Sequence, residues 1–474
     1  MSESNHTQLA VIGGGPGGYA AAFFAADMGL EVTLIDLEVN PGGVCLYRGC
    51  IPSKTLLHAA KVLTEAREAS HFGIEFSKPK IDLEKLRGWE LGVVQKMTGG
   101  LGELTRLRKV RYIQGRARFV NPTTVEIQAA AGDTQRLTFD HAILATGSRP
   151  AKVPGLSIDS PRVMDSTGAL MLPDVPKSLL VIGGGYIGLE LGTVYNALGS
   201  AVTVVEMTGG LLPGADRDLV RILAKRLEAQ FHSILLNTKV LSLNEEKKGI
   251  RVKLEDADGK QTEQLFEKVL ISVGRVPNSQ DLGLENTKIE VDRRGFVLID
   301  GQRRTAEPTI YAIGDIAGEP MLAHKASHEG RTAVEAIMGH KVAFEPNAIP
   351  AVVFTDPEIA WCGLTETQAK KDNRAVKVAR FPWAASGRAT TLDRNDGVTK
   401  LLIDPETERV LGVGIAGSGA GELIAEGVLA VEMAALASDV EMTIHPHPTL
   451  SETVMESAEV FFGHSTDFYQ KRRS

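Results

Sequence analysis

The chain of 474 residues carries 43% hydrophobic and 23% charged side chains, an ordinary globular composition that excludes a disordered or fibrous protein and, at about 150 residues per domain, suggests about three domains. Its net charge of −7 offers no basic field for nucleic acid or anionic lipid. Only Cys45, Cys50 and Cys362 are available, which excludes a disulfide-stapled secreted framework and a four-cysteine zinc or iron–sulfur site.

The start, Met-Ser-Glu-Ser-Asn, shows no basic or apolar region, so no signal peptide is read and a soluble, cytoplasmic protein is expected. Thr7 to Ala26 is uncharged over the length of a membrane span, but its glycines and Pro16 fit a strand, a turn and a helix better. The strand Leu9–Ile12 leads into Gly13-x-Gly15-x-x-Gly18, a helical pattern follows, and a strand Val32–Ile35 ends on Asp36. This is a βαβ unit. Its glycines allow a tight turn, close backbone approach to a pyrophosphate and helix–strand packing, and Asp36 can accept from a ribose hydroxyl.

Next comes Gly42-Gly43-Val44-Cys45-Leu46-Tyr47-Arg48-Gly49-Cys50-Ile51-Pro52-Ser53-Lys54, ahead of a predicted helix at Ser53–Ala66. Two cysteines five apart can close a small disulfide, and a nearby helix N-terminus stabilises a Cys50 thiolate. A structural disulfide, a metal pair and two buried thiols are the bland alternatives. So short a loop gives a disulfide little entropic stabilisation, and a metal would need ligands other than cysteine. An apolar run then reaches Gly147, and Ser148-Arg149-Pro150 closes a first domain at 1–150.

The first unit recurs 170 residues later, where Val181-Ile182-Gly183-Gly184-Gly185 repeats Val11-Ile12-Gly13-Gly14-Gly15. Gly188, Gly199, Val202-Thr203 and Glu206 match Gly18, Gly29, Val32-Thr33 and Asp36. Strands at Leu179–Ile182 and Val202–Val205 flank the second motif. Such a period is too long for a solenoid and predicts two α/β dinucleotide-binding domains with parallel, doubly wound sheets. Two adenine dinucleotides are therefore expected. A carboxylate at 206 favours a free 2′-hydroxyl, and the first arginine after it is Arg217, so the second site should take NAD rather than NADP.

The second domain, 151–277, ends like the first, with an apolar run to Gly274 and then Arg275-Val276-Pro277. Residues 278–345 form a central block containing Ile313-Gly314-Asp315. From Pro346, strand-like Lys400–Ile403 and Val410–Ile415 and a helix at Gly421–Ala437 predict a separate α+β domain, 346–474. It contains Ile444-His445-Pro446-His447-Pro448-Thr449-Leu450-Ser451-Glu452, in which Thr449-x-x-Glu452 reads as a capping box for a following helix.

With these motifs in order along nearly the whole chain, the sequence resembles the pyridine nucleotide–disulfide oxidoreductases, and among them those that oxidise dihydrolipoyl groups. The resemblance implies two Rossmann-like domains, FAD in the first site and NAD in the second. FAD would meet Gly13, Gly15, Gly18, Asp36, Lys54, Gly147, Asp315 and Ala323, with Asp315 on the ribityl chain. NAD would meet Gly183, Gly185, Gly188, Glu206 and Gly274. Cys50 would be the charge-transfer thiolate and Cys45 the thiol that exchanges with substrate, the two forming a redox disulfide. Lys54, near the reactive flavin nitrogen, would pair with Glu190. His447 would be the base that removes thiol protons, with Glu452 as its carboxylate partner and His445 in support. Read without the family, Lys54 and Glu190 are solvated helix charges and Asp315 is a helix cap.

The same resemblance implies a homodimer whose C-terminal domain delivers His447 into the partner's site. The substrate would be the lipoyl domain of a 2-oxo acid dehydrogenase or glycine-cleavage complex, with no metal, membrane or nucleic acid involved. Val44, Tyr47 and Pro446 depart from the family pattern and bear on the flavin surroundings and the disulfide substrate. The rivals are a reductase of another disulfide, such as glutathione or a coenzyme A disulfide, and a non-catalytic NADH-sensing flavoprotein. Ser53 argues against glutathione, whose reductases usually carry lysine there.

Overall fold

The computed structural model describes residues 5–129, 132–156 and 158–469. Five parallel strands lie side by side in the first sheet: Arg111–Asn121, Val32–Asp36, His6–Ile12, Thr134–Leu144 and Ile310–Ala312. Leu9, Val11 and Ile143 face the helices Pro16–Asp27 and Ala323–Ile337, while Ala10, Ala142 and Leu144 face a second cluster with Phe119 and Ile127. Both faces are covered at the centre of the sheet, so Leu9–Ile12, Val32–Ile35 and Ile310–Ala312 are buried without a break, whereas Arg111–Asn121 alternates between buried and exposed residues. Ile310–Ala312 belongs to the central block, so that block adds a strand to the first sheet.

The first sheet also holds Thr124–Ala129, antiparallel to its neighbours, whereas the second is parallel throughout, in the order Ser233–Leu235, Ala201–Val205, Ser178–Ile182, Lys268–Ile271, Val163–Met164. The matching ends of the two dinucleotide-binding regions pair with each other, Ser148–Pro150 running antiparallel to Arg275–Pro277. The C-terminal region is an antiparallel sheet ordered Ala351–Val353, Glu358–Gly363, Val410–Gly417, Val398–Ile403, Lys377–Pro382. Helices Ala420–Glu432 and Glu452–Phe462 pack against it.

Several element bounds differ from expectation. The helix after the cysteine motif spans Cys50–Glu68 rather than starting at Ser53. Pro52 sits in its first turn, where a missing N–H costs nothing. The helix expected at Gly421–Ala437 stops at Glu432, because Ala434 adopts a left-handed φ of 52°. A 25-residue helix, Leu83–Leu107, capped by the Asp82 side chain, was not expected. Among the described residues, no helix is long and apolar enough to cross a membrane.

Candidate active site

Residues from both dinucleotide-binding regions and the central block, but none from the antiparallel C-terminal sheet, line one cleft of about 480 Å³. Gly13, Gly15, Asp36, Gly147, Asp315 and Ala323 line it, together with Cys45, Cys50, Lys54 and Glu190. Gly13 holds φ at 106°, and a Cβ there would meet the Ala145 carbonyl oxygen at 2.2 Å. Gly18 does not line the cleft; it sits behind, where a Cβ would fall 1.8 Å from the Gly13 oxygen. The helix that begins at Pro16 has no side-chain cap and no acid in its first turn. Its free amides and positive dipole end therefore face the cleft, and the residues present fit a dinucleotide pyrophosphate.

Asp36 also braces this loop, accepting from the amides of Gly14 and Glu38. Burial raises its carboxyl pKa above the usual range, against the lowering effect of those two amides.

Cys45 lies on the helix Gly43–Arg48 and Cys50 in the first turn of the next. Both are thiols here, each side chain within hydrogen-bond reach of the other. The hydrogen bond from Cys45, helped by the Lys54 charge and opposed by burial, lowers Cys50 to about 7. The same bond, with burial, pushes Cys45 well above its ordinary value. The inequality favours Cys50 over Cys45 as the thiolate. Cys362 is buried elsewhere, which pushes its thiol up to about 12.

Lys54 and Glu190 are not solvated helix charges. Their Nζ and Oε2 are 2.8 Å apart, Glu190 is 4% exposed, and its Oε1 accepts from the Phe354 amide at 3.0 Å. The Phe354 ring lies 4.5 Å from the Lys54 ammonium. Nor is Asp315 a helix cap, since its side chain accepts from the Ser148 hydroxyl, which in turn accepts from Arg275 Nε at 2.7 Å. Ser148, Arg275 and Tyr186 line the cleft too, and the sequence reading gave them no role there. The parallel endings Ser148-Arg149-Pro150 and Arg275-Val276-Pro277 were the available signal.

The second glycine motif copies the first in detail. Gly183 has the same φ of 106°, and a Cβ on Gly188 would be 2.4 Å from the Gly183 oxygen. Gly185 has open space beside it, and the helix Tyr186–Leu198 is likewise uncapped at its start. Glu206 accepts from the amides of Gly184 and Thr208, both at 2.7 Å. Arg217 is committed to the carbonyl oxygens of Leu211, Leu212 and Ala215, so it is not free to meet a 2′-phosphate. None of Gly183, Gly185, Gly188, Glu206 and Gly274 lines the large cleft.

His447 is not brought to the cysteines within one chain. It is 76% exposed at its side chain, and neither it nor Glu452 lines the cleft. Its Nδ1 lies 2.8 Å from Glu452 Oε1. His445 is held separately, between the Thr443 carbonyl and Glu426 Oε1, each at 2.7 Å.

A family model described as pyridine nucleotide-disulphide oxidoreductase matches residues 7–330, and that family's dimerisation domain matches residues 349–458. The dihydrolipoyl dehydrogenase of Vibrio cholerae is 48% identical over 467 residues, covering 98% of each chain. That of Geobacillus stearothermophilus is 45% identical over 458 residues, covering 96% of each. The crystal structure of LpdA from Mycobacterium tuberculosis superposes with a TM-score of 0.89 at 29% identity, covering 96% of this chain and 99% of that one. The Cu(II) complex of RclA, an HOCl-induced flavoprotein disulfide reductase from Escherichia coli, gives 0.86 at 27% identity with the same coverage. With both family models and whole-length relatives in agreement, the chain belongs to the pyridine nucleotide-disulphide oxidoreductases.

Proposed function

We propose that this protein oxidises a protein-bound dihydrolipoyl group to the lipoyl disulfide, with FAD in the large cleft and NAD as the final acceptor at the second glycine motif. The observation that carries this reading is the unequal thiol pair, Cys45 and Cys50, lining the cleft together with the partly buried Lys54–Glu190 ion pair. Relatives named dihydrolipoyl dehydrogenase over nearly the whole chain support it. In this reading residues 1–150 with 278–345 hold FAD, 151–277 hold NAD, and 346–474 form the two-fold interface of a homodimer. The assigned compartment is the cytoplasm, whose reducing poise suits an exchanging dithiol.

The chemistry is a thiol–disulfide exchange. A substrate thiolate attacks Cys45 in the oxidised pair, the Cys45–Cys50 bond breaks, and Cys50 leaves as a thiolate. Its low pKa makes Cys50 the better leaving group, and the Lys54 charge helps to hold the anion. The second substrate sulfur then displaces Cys45, which closes the lipoyl disulfide and leaves both cysteines reduced. When bound, FAD supplies the two-electron relay from this pair to NAD.

Substrate thiols must lose protons. In the tautomer that donates Nδ1–H to Glu452, His447 keeps a free lone pair on Nε2, and Glu452 stabilises the imidazolium that forms. Since His447 lies away from its own chain's cleft, the base for each site is assigned to the partner subunit. The substrate class is the lipoyl domain of a 2-oxo acid dehydrogenase or glycine-cleavage complex. Purified protein should reduce NAD with dihydrolipoamide and fail to reduce oxidised glutathione with NADPH. The opposite pattern would mean that a different disulfide is the substrate.

A further inference from the structure

Asp216, Asp218 and Glu366 bring carboxylate oxygens within 4.8 Å of one another, the spacing of a metal ligand set. The cation among them is Lys400. Its side chain is 1% exposed, and its Nζ reaches all three carboxylates, at 2.9, 2.7 and 2.7 Å. All three ammonium protons are thus used, and Arg380 adds a second cation against Asp218 and Glu366. Burial works against the lysine charge, but the three carboxylates more than offset it and raise its pKa. Burial likewise opposes Asp216 as an anion, yet Lys400 and the amides of Glu366 and Thr367 draw it down to about 2.

The cluster joins two parts of the chain. Lys400 is on the strand Val398–Ile403 of the C-terminal sheet, whereas Asp216 immediately precedes the helix Arg217–Gln230 of the second dinucleotide-binding region. Asp216 does not cap its own helix. It accepts from the amides of Glu366 and Thr367, at 2.9 and 3.0 Å, at the start of the helix Glu366–Lys371 across the boundary. The next residue, Arg217, ties down the carbonyls of Leu211, Leu212 and Ala215. The Leu212 amide in turn donates to the Gly184 oxygen at 3.0 Å, and Leu211 packs so closely that a Cβ on Gly184 would be 2.7 Å from its Cδ2. Gly184 is the residue whose amide Glu206 accepts.

We infer that Lys400 is a positioning residue for NAD: from the C-terminal domain it fixes Asp216, and so holds loop 207–216 against the second glycine motif. The inference rests on the reading of that motif as the NAD site. Loss of the lysine leaves the buried Asp216 carboxylate without its cation, while Arg380 still faces Asp218 and Glu366; this frees the loop and weakens nucleotide binding without touching the cysteine cleft.

The test uses FAD-loaded dimer carrying Lys400→Met, and also Lys400→Met with Glu366→Gln, which removes one charge of each sign and protects the fold. In both, calorimetric affinity for ADP-ribose should fall, and KM for NAD rise, by about tenfold, the size expected for a lost contact in a coupled charge network. KM for dihydrolipoamide should stay within about twofold. In wild type, saturating ADP-ribose should slow hydrogen exchange at the Glu366 and Thr367 amides, because coupling is reciprocal. Unchanged ADP-ribose affinity in a folded variant, equal losses for nucleotide and dithiol, or no exchange protection in wild type would each overturn the inference. Wild type that binds neither NAD nor ADP-ribose would instead sink the NAD reading itself, and the inference with it.

Discussion

Glu452 serves His447 and its own helix at once: Oε1 lies 2.8 Å from the histidine Nδ1, and Oε2 accepts from the Thr449 amide at 2.7 Å. One carboxylate thus fixes an imidazole tautomer and ties down the turn ahead of the helix Glu452–Phe462; the expected capping box is not formed, because the N-cap is Ser451 rather than Thr449. Glu452→Gln can keep the amide bond through its side-chain oxygen, but it cannot stabilise an imidazolium. It should therefore lower kcat for dithiol oxidation by about 100-fold or more while leaving the melting temperature close to wild type. Glu452→Ala should lose activity similarly and also about 1 kcal/mol of stability for the lost Thr449 amide hydrogen bond, read from denaturant midpoints. Full activity in Glu452→Gln would remove the carboxylate from the chemistry.

The two cysteines should be distinguishable by colour. With FAD bound, Cys45→Ser leaves Cys50 as a lone thiolate, which should give long-wavelength thiolate–flavin absorbance without any reductant. Cys50→Ser should lack it. The reverse pattern would mean that the two thiols have been assigned the wrong way round.

Cys50 is lowered to about 7, so its thiolate predominates above that pH and is lost as pH falls through it. Alkylation of the reduced protein by iodoacetamide, followed at Cys50 by mass spectrometry, should have its midpoint near 7. Lys54→Met removes a charge that favours the anion, so the midpoint should move up. A midpoint that stays put in Lys54→Met would show that the lysine does not act on the thiol.

Nucleotide choice should be harder to switch than the sequence suggests. Because Glu206 also anchors the Gly184 and Thr208 amides, replacing it leaves two donors short of a partner, at a cost of about 1–3 kcal/mol each if they stay dry. Glu206→Ser with Met207→Arg should therefore gain use of NADP and lose thermal stability together. Equal use of NADPH and NADH by wild type would refute the role given to the carboxylate.

The glycine motifs were legible because steric rules leave few alternatives at Gly13 and Gly183, and the repeat shows the same rule met twice. The cysteine motif was legible because chemistry fixes residue type and spacing. The helix Leu83–Leu107 was not legible. It contains Gly88, Gly92, Gly99, Gly100 and Gly102, and buries only Val94, Thr98 and Thr105, so its apolar stripe is thin. Contacts between distant segments, such as Ser148 with Arg275 and Asp315 or Lys400 with Asp216, were also hidden, because the partners stand 127 or more positions apart. The placement proposed for His447, beside another chain's cysteines, lies outside anything that spacing along one chain can specify.

Complementation between two dead variants tests the shared site most directly. Cys45→Ser and His447→Gln should each abolish dithiol oxidation, the latter while retaining flavin and its cysteine pair. Refolded together in equal amounts, half the dimers are mixed, and each mixed dimer has one site with both an intact cysteine pair and an intact histidine. Activity should then return to about a quarter of the wild-type value. If verified mixed dimers show no more activity than the separate variants, the base acts within its own subunit and the shared site is wrong.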